Sequence, residues 1–185
     1  VPFNHKWSGR KISLIGNYDF DFSRLTLQKV NFFTKEVALK ASATIQKFDD
    51  NISFELDGET SDLSINQILA VWPKKLAAPA RKWAIDSLVD GIIPSVKVNM
   101  TGRYSQMNGF AVSTIQGALD YENMTVDYLT SMPKITDGKG KIKFDGSHVD
   151  IEIIHGKSGN LLIQNGHITF TDLDKIDQYA DMQLE

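Results

Sequence analysis

One island of helical periodicity, set between two long tracts that alternate at period two, limits what this chain can fold into. Within Ser64–Val89, the residues Ile65, Ile68, Leu69 and Trp72 fall at i, i+3, i+4 and i+7. That spacing puts four apolar side chains on one face of an α-helix. Ser64 stands where an N-cap belongs, its hydroxyl able to accept from a first-turn N–H that has no carbonyl of its own. Pro73 removes a donor and disfavours α geometry at Trp72, so a short first helix ends near Trp72. A second begins around Pro79, carries Ala80, Trp83, Ala84, Ser87 and Leu88 on one face, and stops at Gly91. Trp72 and Trp83 are expected to fasten the helices to the rest of the fold, with Arg81 bonding nearby carbonyls or a carboxylate. The flanks make the fold class mainly β: an antiparallel meander forming a curved sheet or groove, with a helical insert at about 64–89.

The first flank reads as strands at Lys11–Asp19, around Leu25, Leu27 and Val30, across Glu36–Phe48, and from Ile52 to Leu56. Val37, Leu39, Ala41, Ala43 and Ile45 alternate with polar residues, and Asp49-Asp50-Asn51 supplies turn chemistry. Asn31-Phe32-Phe33-Thr34 reads as a turn with exposed or partner-covered rings. In the second flank, Ile92–Tyr104 resumes the alternation, Gln106–Gly109 forms a hairpin loop, and Phe110–Glu122 is a long strand in which Gly117 marks a bulge. A short strand at Thr125–Tyr128 and a loop at Met132–Gly140 follow, then strands at Lys141–Phe144, Val149–Ile153, Leu161–Gln164 and His167–Thr171. His155–Gly159 reads as a turn. Asn165-Gly166 is the strongest two-residue hairpin signal in the chain, and Leu173–Met182 a helical tail.

At 185 residues the chain suits a single domain, with 1–60 and 92–173 strand-rich, 64–89 helical and 174–185 a tail. A net charge of −3 supplies no field to hold a phosphate backbone, which argues against a nucleic-acid partner. The absence of cysteine excludes disulfides, thiolate metal sites and thiol nucleophiles. No apolar run approaches the roughly 20 residues of a membrane-spanning helix. Because the chain begins at Val1 without methionine, it reads as an internal piece whose targeting signal or anchor lies outside it.

Catalytic chemistry finds little support. His5, His148, His155 and His167 never take the i, i+4 spacing of a helical zinc pair, and only His155 and His167 stand a chance of approaching each other. Gly138-Lys139-Gly140-Lys141 lacks the spacing, the hydroxyl and the following helix of a phosphate loop. Gly156–Gly159 does not match a nucleophile elbow. Asp19, Asp21, Asp49 and Asp50 read as solvated acids of strands and turns, and the later acids from Asp172 to Asp181 lack the glycine and spacing of a calcium loop. No nucleophile, metal or cofactor is expected, and no enzymatic activity.

Leu69-Ala-Val-Trp-Pro73, Pro79-Ala-Arg-Lys-Trp83 and Asp90-Gly91 occur in an order that resembles the AsmA-like bacterial envelope proteins, particularly the YhdP-type branch. The likeness continues through Val126-Asp-Tyr-Leu-Thr-Ser-Met-Pro133, Asp137-Gly-Lys-Gly140, Phe144-Asp-Gly146, Gly156, Asn165-Gly166 and Phe170-Thr-Asp-Leu173. It covers about Ser61 to Leu173. The residues that carry it as structural motif positions are Trp72, Pro73, Pro79, Arg81, Trp83, Gly91, Met132, Pro133, Gly138, Gly140, Gly146, Gly156 and Gly166. The resemblance implies a segment of a long periplasmic protein anchored in the inner membrane, built of repeating β-groove units similar to bridge-like lipid transfer proteins. Such a segment contributes to phospholipid transport between the inner and outer membranes and to outer-membrane integrity. Its partners would be phospholipid acyl chains and neighbouring β-groove repeats of the same full-length chain.

The residues themselves leave two functional classes open. An apolar strand face must be covered by a helix, a second sheet or a ligand. In the first class it is a lipid groove, for which Val96, Val98, Met100, Ile142, Phe144, Ile151, Ile153, Ile163, Ile168 and Phe170 are the candidate lining, with Lys97, Lys141, Lys143, Glu152 and Thr169 on the other face. In the second it belongs to a structural or protein-binding β domain of envelope assembly, docking through edge strands or Phe32-Phe33 without lipid contact.

Overall fold

The computed structural model describes residues 11–34, 37–74, 76, 78–127, 131–173, 179–183 and 185. Its elements are β1 (Lys11–Asp19), β2 (Arg24–Phe33), β3 (Ala38–Phe48), β4 (Asn51–Ser64), α1 (Ile65–Val71), α2 (Ala78–Ser87), β5 (Leu88–Ser105), β6 (Gly109–Val126), β7 (Ile135–Asp145), β8 (Val149–Ser158), β9 (Leu161–Thr171) and β10 (Tyr179–Gln183). The fold is mainly β. Ten strands pair in chain order, each with the next, as an antiparallel meander with the helical insert between β4 and β5. The chain divides into two compact units. The first holds the described residues up to Thr60 and Lys97–Gly117; the second holds Ser61–Val96 and the described residues from Ala118 onward.

In the first unit the period-two pattern of the sequence becomes a pleat with one interruption in β2. Leu39, Ala41, Ala43 and Ile45 of β3 stand in register with Phe32, Val30, Leu27 and Leu25 of β2, and with Thr60, Gly58, Leu56 and Phe54 of β4. A bulge gives β2 an extra residue at Gln28, where the β1 register steps from Ile15↔Lys29 to Gly16↔Leu27. That extra residue keeps Leu25, Leu27, Val30 and Phe32 on one face although 27 and 30 differ by an odd number. Phe32 and Phe33 are therefore not a turn. They close β2, with Phe32 opposite Leu39 on the apolar face and Phe33 on the other.

The second unit contains both helices. Ser64 caps α1 as expected, and a capping box completes it: the Ser64 hydroxyl accepts from the Gln67 N–H, and the Gln67 side chain accepts from the Ser64 N–H. Trp72 ends the helix with extended geometry, and its indole N–H donates to the Leu76 carbonyl at 2.7 Å. Arg81 is buried and serves the open end of α1, donating through Nε to the Trp72 carbonyl (3.1 Å) and through a terminal nitrogen to the Leu69 carbonyl (3.2 Å). The buried face of α2 runs through Arg81, Ala84 and Ser87. Trp83 lies about a quarter turn from its centre and is 42% exposed, so its expected anchoring role is not met. The helix also stops at Ser87, where the Asp127 N–H bonds the Ser87 carbonyl, and Gly91 lies inside β5. Arg81→Ala should lower the free energy of unfolding by about 2–4 kcal/mol, since it orphans two carbonyls, whereas Trp83→Ala should cost under about 1 kcal/mol. Urea titration of the two variants checks the order.

Four strands of this unit each contain one left-handed residue: Asp62 (φ 56°) in β4, Asn123 (53°) in β6, Asp137 (53°) in β7 and Asn165 (55°) in β9. Asp and Asn tolerate this conformation better than other side-chain-bearing residues. Each shifts the alternation by one, so covered positions on its two sides stand three apart: Thr60 and Leu63, Tyr121 and Met124, Ile135 and Gly138, Ile163 and Gly166. This overturns the hairpin expected at Asn165-Gly166. The type I′ turn that Asn-Gly favours needs positive φ at both central residues, and only Asn165 is positive. β9 instead runs on, pairing His155↔Gln164 and then Ile153↔Gly166. The short strand expected at Thr125–Tyr128 is, over its described part, the end of β6 beyond Asn123. Ile135–Gly140, expected in a loop, opens β7, and the expected turn at His155–Gly159 is β8 up to Ser158. Tyr179–Gln183 is a strand against β9 where a helical tail was expected; 174–178 lie outside the described residues.

Candidate functional site

The first unit is a single sheet layer with no helix among its described residues, and its two faces differ in kind. One carries Ile12, Leu14 and Tyr18 of β1, Leu25, Leu27, Val30 and Phe32 of β2, Leu39 and Ile45 of β3, Phe54 and Leu56 of β4, and Val98 and Met100 of β5. None of these is buried: Ile12 is 61% and Leu14 59% exposed, and the others are half-buried or more exposed. The Phe54 ring lies over Gly102 and stacks on Phe110 with centroids 4.9 Å apart.

The opposite face is a ladder of polar cross-strand pairs. Gln28 bonds Asn17 (2.9 Å), Arg24 bonds Gln46 (3.1 Å), Lys40 faces Glu59 (3.7 Å), Asn99 bonds Asp57 (2.9 Å), and the Thr101 and Thr114 hydroxyls meet at 2.7 Å. These exposed pairs contribute little individually to stability, but they state which side faces water. Non-directional burial of apolar surface is the one kind of recognition the other face offers.

The candidate lining divides between the units. Val98 and Met100 belong to this open face. Ile151, Ile153, Ile163, Ile168 and Phe170 pack together in the second unit with Ile135, and Ile153, Ile163 and Ile168 are at most 9% exposed. Val96 is also buried, and Ile142 and Phe144 are half-buried in β7. Lys97, Lys141, Lys143 and Glu152 are exposed. The candidates omitted the faces of β1 to β4, although the alternation of Leu39, Ala41, Ala43 and Ile45 carried the signal.

The motif residues are structural in their placement. Pro73 follows the α1 cap and Pro79 is the second residue of α2. Met132 and Pro133 are exposed ahead of β7, the Pro133 carbonyl accepting from Ser158 at 3.2 Å. Gly91 and Gly138 both lie against Met124, and a Cβ on Gly138 would stand 3.0 Å from the Met124 carbonyl oxygen. Gly140 lies beneath Tyr121, Gly146 is open to solvent, Gly156 is buried in β8, and Gly166 is buried opposite Ile153.

The titratable groups form pairs and turns. Lys157 holds the Asp137 carboxyl below its ordinary range through a 2.9 Å contact, and Glu122 raises the Lys139 ammonium through one of 2.8 Å. The N–H groups of Ser147 and His148 lower Asp145. Burial first, then the Glu152 charge, pushes the Tyr121 phenol above its usual range. His155 stands opposite Gln164 and His167 opposite Glu152, so the two histidines are not paired in the ladder. Among the described residues no three His, Asp or Glu side chains are grouped to hold a metal.

Comparison of the chain with protein families, with curated proteins and with solved structures finds no match. No helix among the described residues is long and apolar enough to cross a membrane.

Proposed function

We propose that this chain is a lipid-handling segment of a periplasmic AsmA-like protein, its apolar sheet face taking phospholipid acyl chains on their way between inner and outer membranes. The observation that carries the reading is the accessible apolar face of the first unit, continuous over β1 to β5 in a single layer. Acyl chains suit such a face because each methylene removed from water contributes roughly 0.8 kcal/mol without any directed contact. The order of the motifs from Leu69 to Leu173 supports the same reading from sequence. On this view the anchor in the inner membrane and the neighbouring β-groove repeats belong to the full-length protein.

Native mass spectrometry after mild purification should find phospholipid bound to the chain. Photo-crosslinkers at Leu39 and Leu56 should label phospholipid, and those at Lys40 and Glu55 should not. Equal labelling of the two sets, or none with no lipid retained, would overturn the proposal. The second reading, a protein-binding β domain of envelope assembly, draws on exposed Phe33 and on the outer edge of β1.

A further inference from the structure

Asn-Gly occurs at Asn108-Gly109 and again at Asn165-Gly166, and the fold treats the two pairs in opposite ways. Asn165 lies within β9, where the ladder holds the backbone on both sides of it, His155↔Gln164 before and Ile153↔Gly166 after, with Gly166 buried. Its peptide link cannot swing. Asn108 lies in the turn between β5 and β6 and is exposed, next to Met107, which is 94% exposed. Its backbone N–H donates to the Ser105 hydroxyl at 3.1 Å, while its side-chain amide meets no partner among the described residues. Gly109 has a left-handed φ of 68°, and apart from its chain neighbours no atom lies within 4 Å of where a Cβ would stand. With no Cβ at Gly109, nothing shields its peptide nitrogen from the amide of the preceding residue.

We propose that Asn108 is a self-modification site, at which the folded chain deamidates through its own backbone with water as co-reactant. The Gly109 backbone nitrogen, its proton taken by hydroxide, attacks Cγ of Asn108. The bond from Cγ to the side-chain nitrogen breaks, and that nitrogen leaves as ammonia while a succinimide ring closes. Water then opens the ring, at the Cγ carbonyl to give aspartate or at the backbone carbonyl to give isoaspartate, so one water is consumed for each ammonia released. The exposed turn provides the freedom that this attack geometry needs. Asp145-Gly146, in the turn between β7 and β8, is not an equivalent site, because its carboxylate accepts from the N–H groups of Ser147 and His148, both at 2.8 Å. The product at residue 108 carries a new carboxylate, and in its isoaspartyl form an extra backbone carbon, close to Phe110, whose ring stacks on Phe54. The inference is independent of the lipid reading, since it concerns a turn held by a strand on each side.

Incubated folded in mildly alkaline buffer, the 185-residue chain should release ammonia, and peptide mapping by mass spectrometry should find acid in place of amide at residue 108. Conversion there should be at least about tenfold faster than at residue 165. In concentrated urea, where the ladder of β8 and β9 is open, the two should convert at similar rates, which shows that the fold and not the dipeptide makes the choice. The product at 108 should include isoaspartate as well as aspartate, because both come from one ring. Asn108→Gln keeps an amide in the same exposed turn but requires a larger ring, so it should abolish the early release of ammonia. Equal conversion at 108 and 165 in the folded chain, a folded chain that keeps Asn108 under buffer conditions that convert it once urea is added, or aspartate without isoaspartate would overturn the proposal.

Discussion

Gly140→Ala is expected to destabilise the protein by about 3–5 kcal/mol, enough to unfold a domain of ordinary stability or bring it close to unfolding. A Cβ at this position would stand 1.9 Å from the Glu152 carbonyl oxygen and 2.5 Å from the Tyr121 phenol oxygen. The first obstacle is backbone of the paired strand β8, and Gly140 and Ile153 are register partners, so the added carbon cannot be accommodated by a side-chain rotation. The second is a ring held in place, since Tyr121 is 5% exposed and its hydroxyl donates to that same carbonyl at 3.0 Å. Relief therefore demands that the ladder open and that the phenol give up its partner. Gly146→Ala in the β7–β8 turn is the matched control. Nothing lies within 4 Å of its Cβ position, and its effect should stay within about 0.5 kcal/mol. Urea midpoints measure both; comparable values for the two variants would mean that Tyr121 does not lie across Gly140.

Gly140 also illustrates what the sequence made legible. Its motif marked the residue as constrained, but not the reason, because the constraint comes from Tyr121 in β6 and Glu152 in β8, neither of which is local to it. Local signals fared better. Ser64 and Pro73 bound α1 because capping and proline geometry act within one turn, and the strand expected at Lys11–Asp19 is β1 over the same residues, although Leu14 and Ile15 stand side by side on opposite faces. Asn165-Gly166 misled for the opposite reason. The pair permits a hairpin, but β8 offers a partner on both sides of it, and the strand continues through a single left-handed residue. Trp83 misled because the helix buries Arg81 to satisfy the carbonyls of α1, which rotates the covered face away from the indole. The candidate site was legible as alternation and no further. Period two separates an apolar side from a polar one, yet the pattern of Leu39 to Ile45 is the same whether a second layer covers it or not.

That last ambiguity sets the second large effect, in which one substitution is made at two adjacent residues of β3. Ile45 stands between Leu25 and Phe54 on the apolar face, and Gln46 stands between Arg24 and Ser53 on the polar one. Ile45→Asp should weaken binding of a fluorescent fatty acid by well over tenfold, because seating an acyl chain there would strip water from an unpaired carboxylate at a cost of several kcal/mol. Gln46→Asp should leave binding unchanged, since the new carboxylate keeps water and retains an acceptor for Arg24, which now bonds Gln46 at 3.1 Å. The melting temperatures discriminate between an open face and a core. A carboxylate on a face open to water costs the fold little, so both variants should melt within a few degrees of the parent. In a closed core the same carboxylate at residue 45 would be buried without a partner and would unfold the unit. Loss of binding with retained folding at 45, and neither at 46, is the result that an acyl-binding face requires. Unfolding at 45 would instead show that the apolar residues of β2, β3 and β4 are interior, and binding unaffected by either change would place the lipid elsewhere.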